Sequence, residues 1–493
     1  MKNYFMPLNR NIILDCDSYK NNHGQMLPNN TLILHSSIIF RKPNEFTSFV
    51  KFFGLQYVLK NYLSQKITID MINEAEQEIT EQGYYFDRKR WEYILNEYKG
   101  ALPLIIKSIP EGTVIPIGIP VLTIENTDYK CAWLSSYVET MLQRAIWKMT
   151  TVATISFDLY NYLNEVMFKH TGELNKVNFH LHNFGSRGAD SYESDIMSGM
   201  AHLTSGFMGS DCLQANRNIK HFYNTKTPYA SSVLASEHSI MCANSNNEDR
   251  DDYHALVKML DLLEFNILNK IGTPIVSIVA DTYDIFRFCE EYIGQRLKNR
   301  IENLGKLGGR IVIRPDSGDP KVIPIDVIKM LMNSFGYSTN KYGYKVLPEF
   351  IRVLQGDGIN QNSIREIILE LEKNKFSLEN LFFGMGGGLT HEAGRDEFSC
   401  AMKATAILLD ENGKHIWKDL FKDPITDILK RSPKGRISTF INHKNEVFYE
   451  RCNLIKYLPN GEIKDLMNIV FKNGEILNEI SFEEVKQNNL SKF

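Results

Sequence analysis

Hydrophobic positions along this chain change their period near residue 175. Before it they mostly follow helical spacing; after it they come in short runs stopped by polar or glycine-rich residues. In the first part, Asn11-Ile-Ile-Leu14 breaks at Asp15-Cys-Asp-Ser-Tyr-Lys20, which reads as a strand-to-helix turn with Asp17 or Ser18 as N-cap. Leu32 to Phe40 reads as a strand, and the apolar residues from Phe46 as a helix. Asp87 to Gly100 places Trp91, Ile94, Leu95 and Tyr98 on one helical stripe, closed by the glycine. Ile105 to Ile124 alternates around Pro110-Glu-Gly112 and predicts small antiparallel strands. Two helices follow, one through Trp133, Tyr137, Met141 and Leu142, the other through Ile155, Leu159 and Leu163 to His170-Thr-Gly172.

The later runs end at Asn183-Phe-Gly-Ser-Arg-Gly188, Glu237-His-Ser239, Asp281-Thr-Tyr-Asp284, Arg314-Pro-Asp316, Gly356-Asp-Gly358 and Gly384-Met-Gly-Gly-Gly388. The last four recur about every 30–40 residues, the size of one strand–helix unit. In a parallel barrel the loops after the strands open onto one face, so these polar exits would share a site. The reading is an α/β fold: residues 175–400 form an irregular (β/α) barrel, and residues 1–174 with 401–493 a second, α+β domain. Strand-like runs and turns at Asn442-His-Lys-Asn445 and Pro459-Asn-Gly461 mark the chain's return to that domain. Asn244 to Asp252 is polar and charged, a solvated loop before the helix Tyr253–Phe265.

A length of 493 residues exceeds what one core usually serves, in keeping with two domains. A net charge of −3 gives no electrostatic case for nucleic acid or an anionic membrane. The seven cysteines are dispersed without a Cys-x-x-Cys pair, which points to reduced thiols in the cytoplasm. No apolar run approaches the roughly 18 residues of a membrane span, and Met1-Lys-Asn-Tyr-Phe-Met6 lacks a signal's apolar core.

The richest exit is Ile311-Val-Ile-Arg-Pro-Asp-Ser-Gly-Asp-Pro320. A guanidinium at Arg314 can fork onto phosphate oxygens, and a carboxylate at Asp316 can accept from vicinal hydroxyls, so the turn suits a sugar phosphate. Gly386-Gly-Gly388, read as preceding a helix, offers backbone N–H groups to a phosphate, with Arg395 and Lys403 downstream. Asp281, Asp316 and Asp357 would supply carboxylates for ribose hydroxyls and a hydrated Mg²⁺. His180-Leu-His182, two apart on one strand face, sketches with His238 and Asp281 at other exits a competing site, that of a barrel metallohydrolase. No further histidine at an equivalent exit supports that site, and Arg187 and Arg314 would crowd a cation. Each motif also has a bland alternative as a plain turn or a hydrogen-bonded structural histidine, His238 included.

Together these residues carry a resemblance. Asp17-Ser-Tyr-Lys20, Phe53-Gly-Leu-Gln-Tyr57, Phe184-Gly-Ser-Arg-Gly188, Glu237-His-Ser239, Ile313-Arg-Pro-Asp-Ser-Gly318, Val353-Leu-Gln-Gly-Asp-Gly358 and Phe383-Gly-Met-Gly-Gly-Gly388 resemble, in order, the nicotinamide phosphoribosyltransferase family. Phe421-Lys-Asp-Pro424 and Lys434-Gly-Arg436 extend the likeness to nearly the whole chain. The chain departs from the family at Asn183 (usually Asp), Ser186 (often Tyr), Ala401 and the long loop after His238. The resemblance implies transfer of 5-phosphoribose from phosphoribosyl pyrophosphate to nicotinamide, with Mg²⁺, a homodimer sharing active sites, and ATP phosphorylating His238. It further implies that Phe184 and the partner subunit's Tyr19 sandwich the pyridine ring, with Asp17 beside that tyrosine. Asp211 would accept from the carboxamide, and Arg187 and Arg314 would hold pyrophosphate or phosphate. Asp316 and Asp357 would hold the ribose, and Gly356, Gly386, Gly387 and Arg395 the 5′-phosphate. The rivals are the sister reaction on nicotinate and a non-catalytic nucleotide-binding protein of the same fold.

Overall fold

A computed structural model describes residues 9–426, 431–454 and 463–488. The chain divides into two compact units, one of Ile155–Asn218 with Thr227–Ala393, the other of Met1–Thr154, Ile219–Lys226 and Gly394–Phe493. The expected boundaries at 174/175 and 400/401 differ from this division, which cuts the helix Glu139–Thr171. That helix is continuous where two were expected. Ala145, Ile146, Met149, Val152 and Ala153 are all buried, so apolar contacts carry it past the presumed gap.

The first unit is built on seven parallel strands: Leu181–Asn183, Gly209–Ser210, Leu234–Ala235, Ile275–Val279, Arg310–Arg314, Ile351–Gln355 and Leu381–Met385. Sequential strands are neighbours from Leu234–Ala235 onward, and the last, Leu381–Met385, pairs with the first, Leu181–Asn183. Leu181–Asn183 pairs in turn with Gly209–Ser210, and a parallel bridge from Gly209 to Ser231 joins that strand to the segment leading into Leu234. Each strand therefore lies beside its neighbour in sequence around a curled barrel sheet, the irregular (β/α) arrangement expected. Ile278, Ile313, Val353 and Phe383 are fully buried, as parallel strands covered on both faces require. Helices such as Tyr253–Asn269, Ile323–Phe335 and Gln361–Lys373 fill the crossovers. The last starts at a capping box in which Asn360 accepts from Asn362 and Ser363 backbone N–H groups.

The second unit centres on a seven-stranded antiparallel sheet in the order Lys414–Asp419, Cys400–Glu411, Thr31–Phe40, Pro120–Asn126, Leu104–Ser108, Asn468–Lys472, Glu475–Ile476. A smaller sheet of Ile437–Ile441, Val447–Arg451 and Lys464–Asp465 belongs to the same unit. The turn at Asn442–Asn445 closes its hairpin; Pro459-Asn-Gly461 lies outside the described residues. The helix expected from Phe46 is instead the strand Phe49–Lys51, paired with Val114–Pro116, and helix begins only at Leu55 after Gly54 turns the backbone at φ +110°.

Candidate active site

Strand ends on the barrel bring the polar exits together. Ile313 is buried in its strand, and the chain turns at Arg314. The Arg314 guanidinium donates to Asp316 Oδ1 from Nη2 at 2.7 Å and from Nε at 3.2 Å. Asp281, at the next exit, has a nearly buried side chain. Its Oδ2 accepts the Asp316 backbone N–H at 2.9 Å and the Ser317 hydroxyl, and its Oδ1 lies 3.1 Å from His238 Nε2. His238 Nδ1 is 3.9 Å from Asp316 Oδ2. His238 thus stands between two carboxylates with its ring half exposed. Together with Arg187, Glu237, Ser239, Val279, Arg314 and Asp316 it lines an open cleft of about 160 Å³.

An aromatic floor lies on the neighbouring strands. The Phe184 backbone N–H donates to Met385 O at 2.9 Å, and the Arg314 guanidinium carbon sits 5.3 Å from the Phe184 ring centre. Gly384 makes room for that ring: a Cβ there would stand 2.1 Å from Phe184 Cε2. The Asp211 backbone N–H bonds Asn183 O at 3.0 Å, while its carboxylate accepts from the Ser232 hydroxyl at 2.6 Å. Asn183 Oδ1 also accepts the Gly185 N–H at 2.8 Å, fixing the start of the Phe184 loop. Beyond Leu381–Met385, Gly386 and Gly387 form turns in which their carbonyls accept from Leu389, Thr390 and Glu392. The helix expected after Gly388 is absent. Only turns lead from there to the strand Cys400–Glu411, so no helix terminus faces an anion at that loop. At Gly356 a Cβ would lie 3.2 Å from Arg314 Nε, and Gly358 adopts φ +66°, which suits a tight turn around Asp357.

Four expected site residues belong to the other unit. Asp17 precedes a short 3₁₀ helix without capping it; its carboxylate instead accepts from the Thr140 hydroxyl at 2.6 Å. Tyr19 is more than half exposed and edges onto His23. Arg395 pairs with adjacent Asp396 at 3.2 Å. Lys403 sits in the strand Cys400–Glu411, where burial pushes its ammonium's pKa down, partly countered by Glu139.

His180 and His182 do not form a metal site. His180 is stacked on Phe382 at 4.5 Å, and burial pushes it down to about 3. Burial likewise lowers His182, against a smaller raising effect of Asp211. Among the described residues no three His, Cys, Asp or Glu side chains converge as metal ligands. Sequence reading missed Ser232 on Asp211; it shows Ser317 and Asn183 as exit residues, but not as the partners of Asp281 and of the Phe184 loop. The strand Gly209–Ser210 has only two residues and no apolar run, so no pattern announced it as an exit.

A parallel barrel whose rim gathers two arginines, ribose-suited carboxylates, a histidine and glycine turns around an aromatic ring defines a phosphoribosyltransferase-type site. The sequence profile of the nicotinate phosphoribosyltransferase (NAPRTase) family matches residues 179–475, and the chain belongs to that family. The profile of the nicotinamide phosphoribosyltransferase N-terminal domain matches residues 11–106. The chain is an enzyme of phosphoribosyl transfer in NAD biosynthesis. A nicotinamide phosphoribosyltransferase of Xanthomonas campestris pv. campestris is 34% identical over 481 residues, covering 97% of each chain. One from Acinetobacter baylyi is 30% identical, covering 96% of this chain and 95% of the relative. In fold, the chain is similar to the crystal structure of a nicotinate-nucleotide pyrophosphorylase from Pyrococcus furiosus (TM-score 0.58, 14% identity, 99% and 97% covered). The crystal structure of human nicotinic acid phosphoribosyltransferase is similar too (TM-score 0.52, 15% identity, 97% and 92% covered).

Proposed function

We propose that the acceptor is nicotinamide and that the products are nicotinamide mononucleotide and pyrophosphate. The observation that carries this is the Asp211 carboxylate, held through its own N–H on Asn183 O, one residue before the Phe184 ring. A carboxylate accepts from an amide NH₂ and repels the carboxylate of nicotinate. Breaking the C1–pyrophosphate bond builds positive charge on the ribose and negative charge on the leaving group. Asp316 and Asp357 face the first, Arg187 and Arg314 the second. The pyridine nitrogen is already a nucleophile, so positioning by Phe184, with Tyr19 of the partner subunit, replaces a general base. Gly356, Gly386, Gly387, Arg395 and Lys403 complete the phosphate contacts in this reading.

The carboxylate oxygens of Asp281 and Asp316 are hard donors of the kind Mg²⁺ takes, so the residues fit a cation held chiefly by substrate pyrophosphate and water beside them. When bound, it would neutralise charge on the leaving group. His238, half exposed and held by Asp281, is proposed to accept a phosphoryl group from ATP and so couple hydrolysis to synthesis. The active form is proposed to be a homodimer.

Purified protein given phosphoribosyl pyrophosphate and nicotinamide should release pyrophosphate and nicotinamide mononucleotide in equal amounts; release without the nucleotide would refute the transfer. For the ATP arm, wild type and His238→Ala are incubated with γ-labelled ATP. Acid-labile label and ATP stimulation should both vanish in the variant while a slow ATP-independent transfer survives. Retention of both by His238→Ala would remove the coupling role.

A further inference from the structure

The antiparallel sheet of the second unit has two unlike faces. In Leu104–Ser108, residues 104, 106 and 108 are buried while Ile105 and Lys107 alternate to the other side. Across the ladder Ile105 pairs with Glu125 and Lys107 with Thr123. The smaller sheet, through Ile437, Ser438 and Phe440, lines a cavity of about 340 Å³ together with these residues, His35, Arg436, Cys452, Ile463 and Asp465. A face covered by a second sheet is normally apolar. Here it carries a histidine, a carboxylate and an ammonium.

The carboxylate is fully engaged. Arg436 forks onto it, Nε to Oε1 at 2.6 Å and Nη2 to Oε2 at 2.9 Å. His35 Nδ1 lies 2.8 Å from Oε1 and donates to it, while its Nε2 accepts the Ile437 backbone N–H at 3.3 Å. Burial raises the Glu125 pKa, but the bonds from His35 and Arg436 outweigh it and bring the group down to about 2. Asp465 Oδ1 accepts from the Ser438 hydroxyl at 2.8 Å and from the Met467 N–H at 2.9 Å. Among the described residues, Lys107 alone of the cavity's charged groups has no counter-charge or hydrogen-bond partner.

An ion cluster with one partner, Arg436, nearly half exposed contributes little to stability. A cavity of such size, lined by three isoleucines and a phenylalanine beside fixed polar and charged groups, has the mixed surface that a small polar ligand takes. We propose that this cavity is a second ligand site, separate from the barrel rim, for a small flat organic anion whose carboxylate or phosphate pairs with Lys107 while its body lies against Ile105, Ile437 and Phe440. Arg436 adds a second cationic wall, pre-set by Glu125 and by the Trp417 ring 5.1 Å away.

The probes are benzoate and phenyl phosphate, titrated calorimetrically into wild type, Lys107→Met, Lys107→Arg and Arg314→Ala. The Lys107 side chain bonds nothing among the described residues, so its replacement leaves the ion cluster and the strand ladder intact. Arg314→Ala weakens anion binding at the barrel rim and leaves the cavity untouched, so binding that survives it in full belongs to the cavity. At least one probe should bind a site in wild type that Arg314→Ala keeps at unchanged affinity, that weakens by about tenfold or more in Lys107→Met, and that recovers in Lys107→Arg. Which probe binds decides between carboxylate and phosphate. No saturable binding of either probe to Arg314→Ala, or equal binding by Lys107→Met, overturns the proposal.

Discussion

Single side chains set the chemistry of the rim, and the tightest constraint is steric. Gly384 lies under the Phe184 ring, where a Cβ would stand 2.1 Å from the ring edge. Gly384→Ala should therefore push the ring off the acceptor position and lower kcat/KM for nicotinamide by about 100-fold, as ångström-scale misplacement does. Steady-state kinetics of the variant, with its circular dichroism unchanged, checks this; undiminished kcat/KM would mean Phe184 does not position the base. Arg314, Asp316 and Asp281 were legible in the sequence because each follows an apolar run and carries a charge. Ser232 was not, and Ser317 was legible as a turn residue but not as the partner of Asp281. A serine becomes part of a site only when a carboxylate distant in sequence meets its hydroxyl, as Asp211 and Asp281 do.

At the scale of elements, the barrel strands with continuous apolar runs were readable, and those without were not. Ile275–Val279, Arg310–Arg314, Ile351–Gln355 and Leu381–Met385 announce themselves, whereas Gly209–Ser210 is defined only by its ladder partners. The helix expected after Gly388 failed for a related reason: glycines followed by polar residues fit turns as well as a helix start. The segment around Leu181–Asn183 also sets an acid response. Burial lowers His180 to about 3 and His202 to about 4, so both imidazoles are neutral in the fold. A folded-state pKa below the unfolded value near 6.5 means the unfolded chain binds more protons, so their contribution to stability is full above about pH 6.5 and lost as pH falls towards 4 and 3. Urea midpoints measured from pH 7 to pH 4 should fall steeply in wild type and less so in His180→Phe, which keeps a flat ring against Phe382 and removes one titration. Identical slopes would show that His180 does not titrate in this way.

For the whole molecule, the hydrophobic pattern carried the division into a barrel and an α+β unit, but not its borders. The helix Glu139–Thr171 runs through one border without a break in its buried face, and Ile219–Lys226 joins the α+β unit through Phe222 O, which accepts from Gln56 and Lys60. Nothing local in the sequence marks such long-range partners. The proposed shared active site makes a prediction at this scale. Tyr19→Ala and Arg314→Ala, each inactive alone, should regain activity on mixing under exchange, because a heterodimer holds one intact site. The yield is at most about a quarter of wild type, since half the molecules are heterodimers with one of two sites intact. No recovery, with subunit exchange shown by mass, would place Tyr19 outside the partner's site. The most direct measurement of the central claim is acceptor choice: kcat/KM for nicotinamide over that for nicotinate, in wild type and in Asp211→Asn. Wild type should strongly prefer nicotinamide, and Asp211→Asn should reduce the ratio by about tenfold or more, because an amide can donate to the acid while a carboxylate cannot. A wild-type preference for nicotinate, or a ratio unchanged by Asp211→Asn, would contradict the account.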